Sequence, residues 1–209
     1  WMLNSQAPSR SLIELTADGE WVNRDRTELM GLNDGGFSNK SLGDLKDMTI
    51  DSRGLMWFVN NNHVTPSFFA YDFTNNGMNS YKSFTNQDGT EVMLNNVRCI
   101  TEDTNGNMWI GTNQGPLMLE TDQITANIPI MTQVKVPRND GTNYADYLLA
   151  GTDITACVID KANRKWFGTG GAGIYLIGSD NISQLQHFTA SNSPLLSDNI
   201  LALALDEKS

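Results

Sequence analysis

The residues best suited to chemistry in this sequence are two histidines, two cysteines and one glycine-rich stretch. His63 and His187 are its only histidines, and neither stands at a metal-ligand spacing or accompanies a serine nucleophile motif. Cys99 and Cys157 fall on predicted strands, at different distances from the turn that follows, so their side chains should point to opposite strand faces. A disulfide between them is not expected, and we interpret both as small buried hydrophobic residues.

The glycine-rich stretch at 168–173 reads Gly-Thr-Gly-Gly-Ala-Gly and formally matches the fingerprint of dinucleotide-binding folds. That fingerprint has a physical meaning only between a strand and a helix whose N-terminus faces the pyrophosphate. Here the following residues, Ile-Tyr-Leu-Ile at 174–177, have the character of a strand. We therefore interpret the glycines as a hairpin turn and predict no cofactor.

A second imitation of a ligand site is the spacing Asp103-x-Asn105-x-Asn107, which resembles the start of a calcium-binding loop. The bidentate glutamate expected eleven residues after the first aspartate is Gln114 instead, and the glycine is out of phase. We interpret Asp103 as a cap for the backbone NH groups of a turn and predict no metal ligand, with an irregular calcium site between repeats as the alternative.

The strongest signal in the chain is a repeat, seen most clearly at 96–112. An aspartate followed six residues later by a tryptophan occurs three times, and the tryptophans recur at intervals of 52 and 57 residues. The pairs are Asp51 with Trp57, Asp103 with Trp109, and Asp160 with Trp166. Trp1 lies 56 residues before the first of these tryptophans, so the chain opens in phase. Periods of this length are typical of propellers and solenoids.

Each repeat predicts four short strands. Its Asp-x-x-Gly (or Asn) turn joins two apolar runs and is typical of a hairpin, and two further strand-like runs follow. The fold class predicted is therefore all-β, a β-propeller of four-stranded antiparallel blades with about four blade equivalents. We expect a single propeller over 1–209, either a small ring or part of one. The predicted blades are 1–43 (lacking its first strand), 44–95, 96–152, 153–198 and 199–209 (first strand only).

Composition narrows the classes of partner. The formal net charge is −10, and the lysines and arginines are scattered, which argues against nucleic acid and anionic membranes because both need a basic footprint. No apolar run reaches the length of a membrane span. A propeller cut between the first and second strands of a blade also allows self-association.

Candidate contact residues lie where the chain departs from its repeat, at 30–40, 60–69 and 139–149. These segments contain aromatic groups and a histidine suited to contact with sugars or protein partners, although the same residues could simply cover the ends of blades. They are Phe37, His63, Phe68, Phe69, Tyr144 and Tyr147. We predict no catalytic residue. The enzymatic alternative is a propeller hydrolase or lyase, whose acid and base would come from different loops.

The pattern at 96–112, Asn-Val-x-x-Ile-x-x-Asp-x-x-Gly-x-x-Trp-Ile-Gly-Thr, resembles the two-component regulator propeller repeat. That repeat is typical of the sensor ectodomains of Bacteroidetes hybrid histidine kinases. A narrower resemblance links 185–189 and 192–199, Leu-Gln-His-Phe-Thr and Asn-Ser-Pro-Leu-Leu-Ser-Asp-Asn, to PorZ-like surface propellers of the type IX secretion system.

Both resemblances imply a non-enzymatic role outside the cytoplasm, in the periplasm or at the outer cell surface. The sensor resemblance implies recognition of a glycan. The PorZ-like resemblance implies contact with surface polysaccharide and with partner proteins of a secretion machine. Neither family supplies a site motif that matches positions of this sequence, so neither assigns a role to a particular residue.

Overall fold

The structure is a computed structural model of the chain, and it falls into two compact units. The described residues are 1–5, 10–24, 26–29, 31–33, 36–38, 44–61 and 65–206. The first unit is Trp1–Ser83 with Asn95–Val97, and the second unit is Phe84–Leu94 with Arg98–Ser209.

The first unit is built from antiparallel strands joined mostly by short turns. Its strands are β1 (Met2–Leu3), β2 (Leu12–Leu15), β3 (Trp21–Asn23), β4 (Gly31–Asn33), β5 (Gly36–Ser38), β6 (Leu45–Ile50), β7 (Leu55–Asn60), β8 (Ser67–Asp72) and β9 (Gly77–Tyr81). They form sheets in the orders β1-β2-β3, β4-β5 and β6-β7-β8-β9. A 3₁₀ turn at Thr27–Leu29 precedes the β4-β5 hairpin.

The second unit repeats this plan. Its strands are β10 (Thr85–Asn86), β11 (Val97–Glu102, whose first residue belongs to the first unit), β12 (Met108–Thr112), β13 (Gly115–Leu119), β14 (Ile130–Thr132), β15 (Lys135–Pro137), β16 (Ala145–Tyr147), β17 (Ile154–Ile159), β18 (Lys165–Thr169), β19 (Ile174–Ile177) and β20 (Gln184–Phe188). The sheet orders are β10-β14-β13-β12-β11, β15-β16 and β17-β18-β19-β20. A 3₁₀ turn lies at Thr121–Gln123.

The predicted fold class is confirmed: the described residues form four-stranded antiparallel sheets of the blade type and contain no α-helix. One sheet differs from the prediction, because β10 adds a fifth strand that pairs parallel with β14. In the described part of the chain, no helix is long and apolar enough to cross a membrane.

The predicted final strand at 199–206 does not form. Asn199 makes one isolated bridge with Gly170, and the Ile200 NH donates to the Thr169 carbonyl, but residues 201–206 have no strand assignment. The physical reason is strand pairing. β17 pairs along its length with β18, whereas no described strand lies beside residues 201–206.

The turn aspartates do more than cap backbone NH groups. In each of the three copies, one carboxylate oxygen accepts from the backbone NH groups two and four residues later. The other oxygen accepts from the indole NH of the repeat's own tryptophan, at 2.8 Å for Trp57 and 3.1 Å for Trp109 and Trp166. The carboxylate therefore ties the turn to the tryptophan of the second strand, which is fully buried in two of the three copies.

The glycine of the Trp-Ile-Gly-Thr signature makes room for the next sheet in the second unit. A Cβ at Gly111 would collide with Cys99 and lie 3.0 Å from Ile154, which opens β17. At the equivalent Gly168, a Cβ would lie 2.6 Å from the side chain of Ile200. In the second unit, glycine is therefore needed at this position because neighbouring side chains lie too close for a Cβ.

Each unit has its own apolar core. The core of the first unit includes Phe58, Phe69 and Tyr71, and that of the second includes Trp109 and Phe167. Both cysteines are buried free thiols, as the sequence indicates. Burial of these aromatic groups is the main stabilising contribution, since each removes a large apolar area from water.

Candidate binding cleft

The candidate site lies at one end of the five-stranded sheet of the second unit. Successive turns of an antiparallel sheet alternate between its two ends. The Asp103 turn closes β11 and β12 at one end, which we call the turn end. The short β12–β13 turn at 113–114 and the long connection at 133–153 lie at the opposite end, which we call the loop end. Loops of this kind carry function more often than the strands that hold them.

An open cleft of about 350 Å³ lies at the loop end. Its walls come from three stretches of chain that are distant in sequence: the segment after β10, the β12–β13 turn, and the connection that contains β15 and β16. The lining residues are Asn86, Thr90, Glu91, Val92, Met93, Gln114, Gln133, Tyr147, Ala150 and Gly151. A volume of this size lies at the lower end of the range for small-ligand pockets.

One wall is a turn built like the aspartate turns. The Asn86 side-chain oxygen accepts from the backbone NH groups of Asp88 and Thr90, at 3.0 and 2.9 Å. Gly89 adopts a φ of 75°, which suits glycine because it has no Cβ. Backbone bonds from Val92 to Phe84 and an isolated bridge between Thr85 and Glu91 continue the hairpin. The backbone that carries Glu91 is thus fixed on both sides.

The amide of Asn86 points the other way and holds the opposite wall. Its nitrogen donates to the Gln133 side-chain oxygen at 2.9 Å and to the Tyr147 hydroxyl at 3.1 Å. The Gln87 side chain makes two bonds with the backbone of Gln133, donating at 2.8 Å and accepting at 3.0 Å. These bonds join segments about fifty residues apart, so the cleft is ordered before any ligand arrives.

The carboxylate of Asp88 extends the same hydrogen-bond network to a lysine and to Tyr147. Asp88 accepts a hydrogen bond from the Tyr147 hydroxyl at 2.7 Å and one from the Lys135 ammonium at 2.7 Å. The donated bonds from Lys135 and Tyr147 hold the pKa of Asp88 below its usual value. Donation to Asp88 raises the pKa of the Tyr147 hydroxyl and of Lys135. We call this set of Asp88, Lys135 and Tyr147 the latch.

The third wall contains backbone strain. Leu149 has a φ of 48°, a left-handed conformation that is rare for a residue other than glycine or asparagine. Its carbonyl presses on Gly115, where an added Cβ would lie 2.7 Å from the Leu149 oxygen. The Gly151 NH donates to the Gln114 carbonyl at 3.2 Å and fixes this crossing. Strain of this kind persists only where surrounding contacts over-determine the backbone, and it clusters at functional sites.

The structure brings one of the six predicted contact residues into the cleft. Tyr147 lines it and belongs to the latch. Tyr144 lies on the same β15–β16 hairpin but is 68% exposed, lies near the guanidinium of Arg138 and is not among the lining residues. The hairpin itself forms inside the predicted 139–149 insert and the residues just before it.

Two predicted contact residues belong to the core instead. Phe68 and Phe69 are fully buried in β8, where Phe68 stacks against Tyr81 and Phe69 against Phe58. The prediction that these two residues contact a ligand is wrong. Adjacent apolar residues occur in a strand buried on both faces as well as in an exposed aromatic loop. His63 lies outside the described residues, as does the side chain of Phe37, whose backbone belongs to β5.

The other histidine and the two imitation motifs have structural roles. His187 stacks on Tyr175 with ring centres 4.0 Å apart and bonds the Ala172 carbonyl. The glycines at 168–173 join antiparallel strands β18 and β19, as the hairpin interpretation predicts. Within the described residues, no group of three His, Cys, Asp or Glu side chains is placed to hold a metal ion.

The first unit has a larger cavity, of about 630 Å³, against its three-stranded sheet. Met2, Ile13 and Trp21 line it, and Trp21 is 60% exposed. This is an apolar sheet face with few polar groups to orient a small ligand, so it suits packing better than recognition. If the chain associates with itself, as expected from the sequence, an apolar face of this kind would suit the contact. Self-association stays a prediction.

Sequence reasoning missed most of the cleft. Asn86 and Glu91 belong to a segment, 86–92, that repeats the seven-residue turn with asparagine in place of aspartate and valine in place of tryptophan. This shared spacing is the sequence signal from which the turn at Asn86 could have been predicted. Gln114 and Gln133 gave none, since isolated amides are common on any surface.

Comparison with known proteins agrees with the repeat. Residues 92–114 match the family described as two component regulator propeller. No curated protein matches the chain. Among solved structures, PorZ, a surface component of the type-IX secretion system of Porphyromonas gingivalis, covers 95% of this chain with 21% identity and a TM-score of 0.55, over 34% of its own length.

Two sensor ectodomains of B. thetaiotaomicron are similar to a comparable degree. The extracellular domain of the hybrid two component system BT3049 covers 97% of this chain at 19% identity, with a TM-score of 0.58. That of the one component system BT4673 covers 91% at 14% identity, with a TM-score of 0.55. The chain spans 26% and 22% of their lengths. Such likenesses show a shared fold, and we conclude that this chain has a β-propeller fold in which residues 92–114 match the two-component regulator propeller repeat.

Proposed function

We propose that the chain is a non-enzymatic binding module that works outside the cytoplasm and takes a glycan ligand in the cleft at its loop end. The observation that supports this proposal is the ordered polar cleft, in which amides, a carboxylate, hydroxyl groups and a tyrosine surround an open volume of about 350 Å³. Sugars present many hydroxyl groups with apolar CH faces between them. Amide and carboxylate side chains suit the hydroxyl groups, and the exposed Met93 beside buried Val92 offers apolar contact.

The placement outside the cytoplasm rests on its structural relatives. Two of them are extracellular domains of sensor systems, and the third is a bacterial surface component. In a sensor, ligand binding in the cleft would alter contacts that are passed on to an output domain. The net charge of −10 is consistent with a ligand other than nucleic acid.

A second role, as a PorZ-like surface component of a secretion system, is favoured by the stretch 185–199. That stretch begins in β20 and continues into a turn in which Asn192 bonds the backbone of Thr189 and His187. The parent gene distinguishes the two roles. A histidine kinase encoded after this region would establish the sensor role, whereas a second propeller followed by a short β-domain would support the secretion role.

The binding proposal is tested with a glycan array, followed by calorimetric titration of any hit against the 209-residue chain. We expect binding to at least one bacterial surface polysaccharide or diet-derived glycan. Replacing Tyr147 by Ala should weaken it at least about tenfold, since the cleft loses both a wall and its latch. The Tyr147→Phe variant separates loss of the hydroxyl from loss of the ring.

Tyr144→Ala is the matched control, because it removes the exposed tyrosine of the same hairpin without touching the cleft lining. It should bind like the parent chain. Silence across the whole array would refute the glycan proposal, and so would binding that depends on Tyr144 but not on Tyr147.

A further inference from the structure

The charges around the cleft are unequal in a way that bears on its ligand. Glu91 lines the cleft, its side chain is exposed, and among the described residues its carboxylate has no ion-pair partner. No lysine or arginine is among the lining residues. The cleft therefore presents one free negative charge and no free positive charge.

Two basic side chains of the second unit are already paired with carboxylates. Lys135 is bound to Asp88 at 2.7 Å. Arg98 bonds Asp153 through two nitrogens, at 3.1 and 2.9 Å. An acidic ligand would have to break one of these pairs to gain a counter-charge, and it would also meet Glu91.

The neutral groups of the cleft are available. Gln114 is exposed, and in the described residues its side-chain amide makes no hydrogen bond, so it can donate and accept. The Thr90 hydroxyl is exposed as well. A carboxylate accepts hydroxyl donors readily, and such charge-assisted bonds are stronger than neutral ones. Glu91 thus favours ligands rich in OH or NH donors.

We infer that the cleft selects neutral or amine-bearing sugars over acidic ones, and that Glu91 is the residue that sets this preference. The inference rests on the glycan proposal and names the charge class of the sugar. The contrast is with uronic acids and sulfated sugars, whose anionic groups would lie near Glu91 without a compensating cation. Like charges about 4 Å apart repel modestly in open water and more strongly where solvent is partly excluded, and salt weakens this repulsion.

The test compares three oligosaccharide classes that share ring geometry: neutral gluco-oligomers, glucosamine oligomers and glucuronate oligomers. Each is titrated calorimetrically against the parent chain and Glu91→Gln. We expect the parent chain to bind the neutral or amino oligomer at least about tenfold more tightly than the acidic one at low salt. Glu91→Gln keeps the side-chain volume and should reduce that ratio by most of its value, and added salt should do so in the parent chain.

The matched control is Asp122→Asn, which makes the same change in net charge at an exposed carboxylate outside the cleft lining. It should leave the ratio unchanged. If acidic and neutral oligomers bind equally well, or if both variants shift the ratio alike, the inference about Glu91 is overturned while the glycan proposal stands. If none of the three classes and no glycan of the array binds, both are overturned.

Discussion

The same seven-residue turn occurs at Asp103 and at Asn86, and the second unit puts the two copies to different uses. In each, the side-chain oxygen accepts from the backbone NH groups two and four residues later. In each, a glycine three residues on donates back to the first residue's carbonyl, at 3.0 and 2.9 Å. The backbone of the turn is therefore the same.

The two turns differ in the second terminal atom of the first residue's side chain, which is an oxygen in Asp103 and an amide nitrogen in Asn86. The remaining oxygen of Asp103 accepts from the Trp109 indole at 3.1 Å, inside the core. The amide nitrogen of Asn86 donates to Gln133 and Tyr147, in the cleft. Replacing a carboxylate oxygen by an NH₂ group changes an acceptor into a donor, and the tryptophan that would need the acceptor is Val92 in this copy. This atom, together with the exchange of tryptophan for valine, separates a turn that is bonded to the core from a turn that lines the cleft.

The largest effect should come from removing the scaffold tryptophan. Trp109 is fully buried, lies against the ring of Phe167 and the ammonium group of Lys165, and bonds its own aspartate. Trp109→Ala should lower the free energy of unfolding by about 3–5 kcal/mol, from lost burial and the cavity left behind, as measured by urea denaturation.

Trp166→Ala is the control for that substitution. Trp166 makes the same 3.1 Å bond to its aspartate but is only half-buried. Its loss should therefore cost clearly less. Equal losses for the two variants would contradict the view that burial, rather than the indole bond, makes this position important.

The next largest effect should come from exchanging aspartate and asparagine at the first position of the two turns. Asp103→Asn would turn an NH₂ group toward the Trp109 indole NH, leave that buried donor unpaired and cost about 1–3 kcal/mol. Asn86→Asp would place a second acceptor opposite the Gln133 oxygen. Asn86 is buried, but the Gln133 amide can rotate to donate to the new oxygen, so that change should cost no more than Asp103→Asn, yet it should weaken glycan binding.

Urea denaturation and calorimetric titration of both variants check this exchange. A large loss of stability from Asn86→Asp, with unchanged stability in Asp103→Asn, would reverse the assignment of scaffold and site. Loss of ligand affinity in Asp103→Asn without loss of stability would do the same.

The repeat explains why the fold was predictable and most of the cleft was not. Aspartate, glycine and tryptophan at fixed offsets recur along the chain, so each copy supports the others, and β11 and β12 form on the two sides of the Asp103 turn, as the repeat predicts. The cleft depends on residues that occur once. Gln133 and Asn86 are brought together by the parallel pairing of β10 with β14, a contact between distant segments that no local pattern encodes. Tyr147 was identified only because it departs from the repeat.

The same reasoning explains the failures. Phe68 and Phe69 end the segment 60–69 that departs from the repeat, but departure from the repeat does not imply exposure, and both are fully buried. In a strand that is buried on both faces, consecutive apolar residues are the expected pattern. The missing strand at 199–206 has a sequence as apolar as that of β17 but lacks a paired neighbour among the described residues, so composition alone could not produce it.

The smallest expected effect is a pH dependence confined to the latch. The pKa of Asp88 is lowered in the folded chain, first by the bond from Lys135 and then by that from Tyr147. A carboxyl group with a lowered folded pKa contributes stability that is present above its unfolded value of about 3.9 and is lost as the pH falls through the folded value. The advantage of the parent chain over Asp88→Asn in melting temperature should therefore be constant near neutrality and shrink below about pH 4.

Because the latch is exposed and its ion pair is screened by solvent, the difference should be small and should decrease with salt. Asp122→Asn, measured in parallel, should show no such pH-dependent difference, and a gap between parent and Asp88→Asn that stays constant down to pH values well below 4 would mean that the latch is not formed in solution.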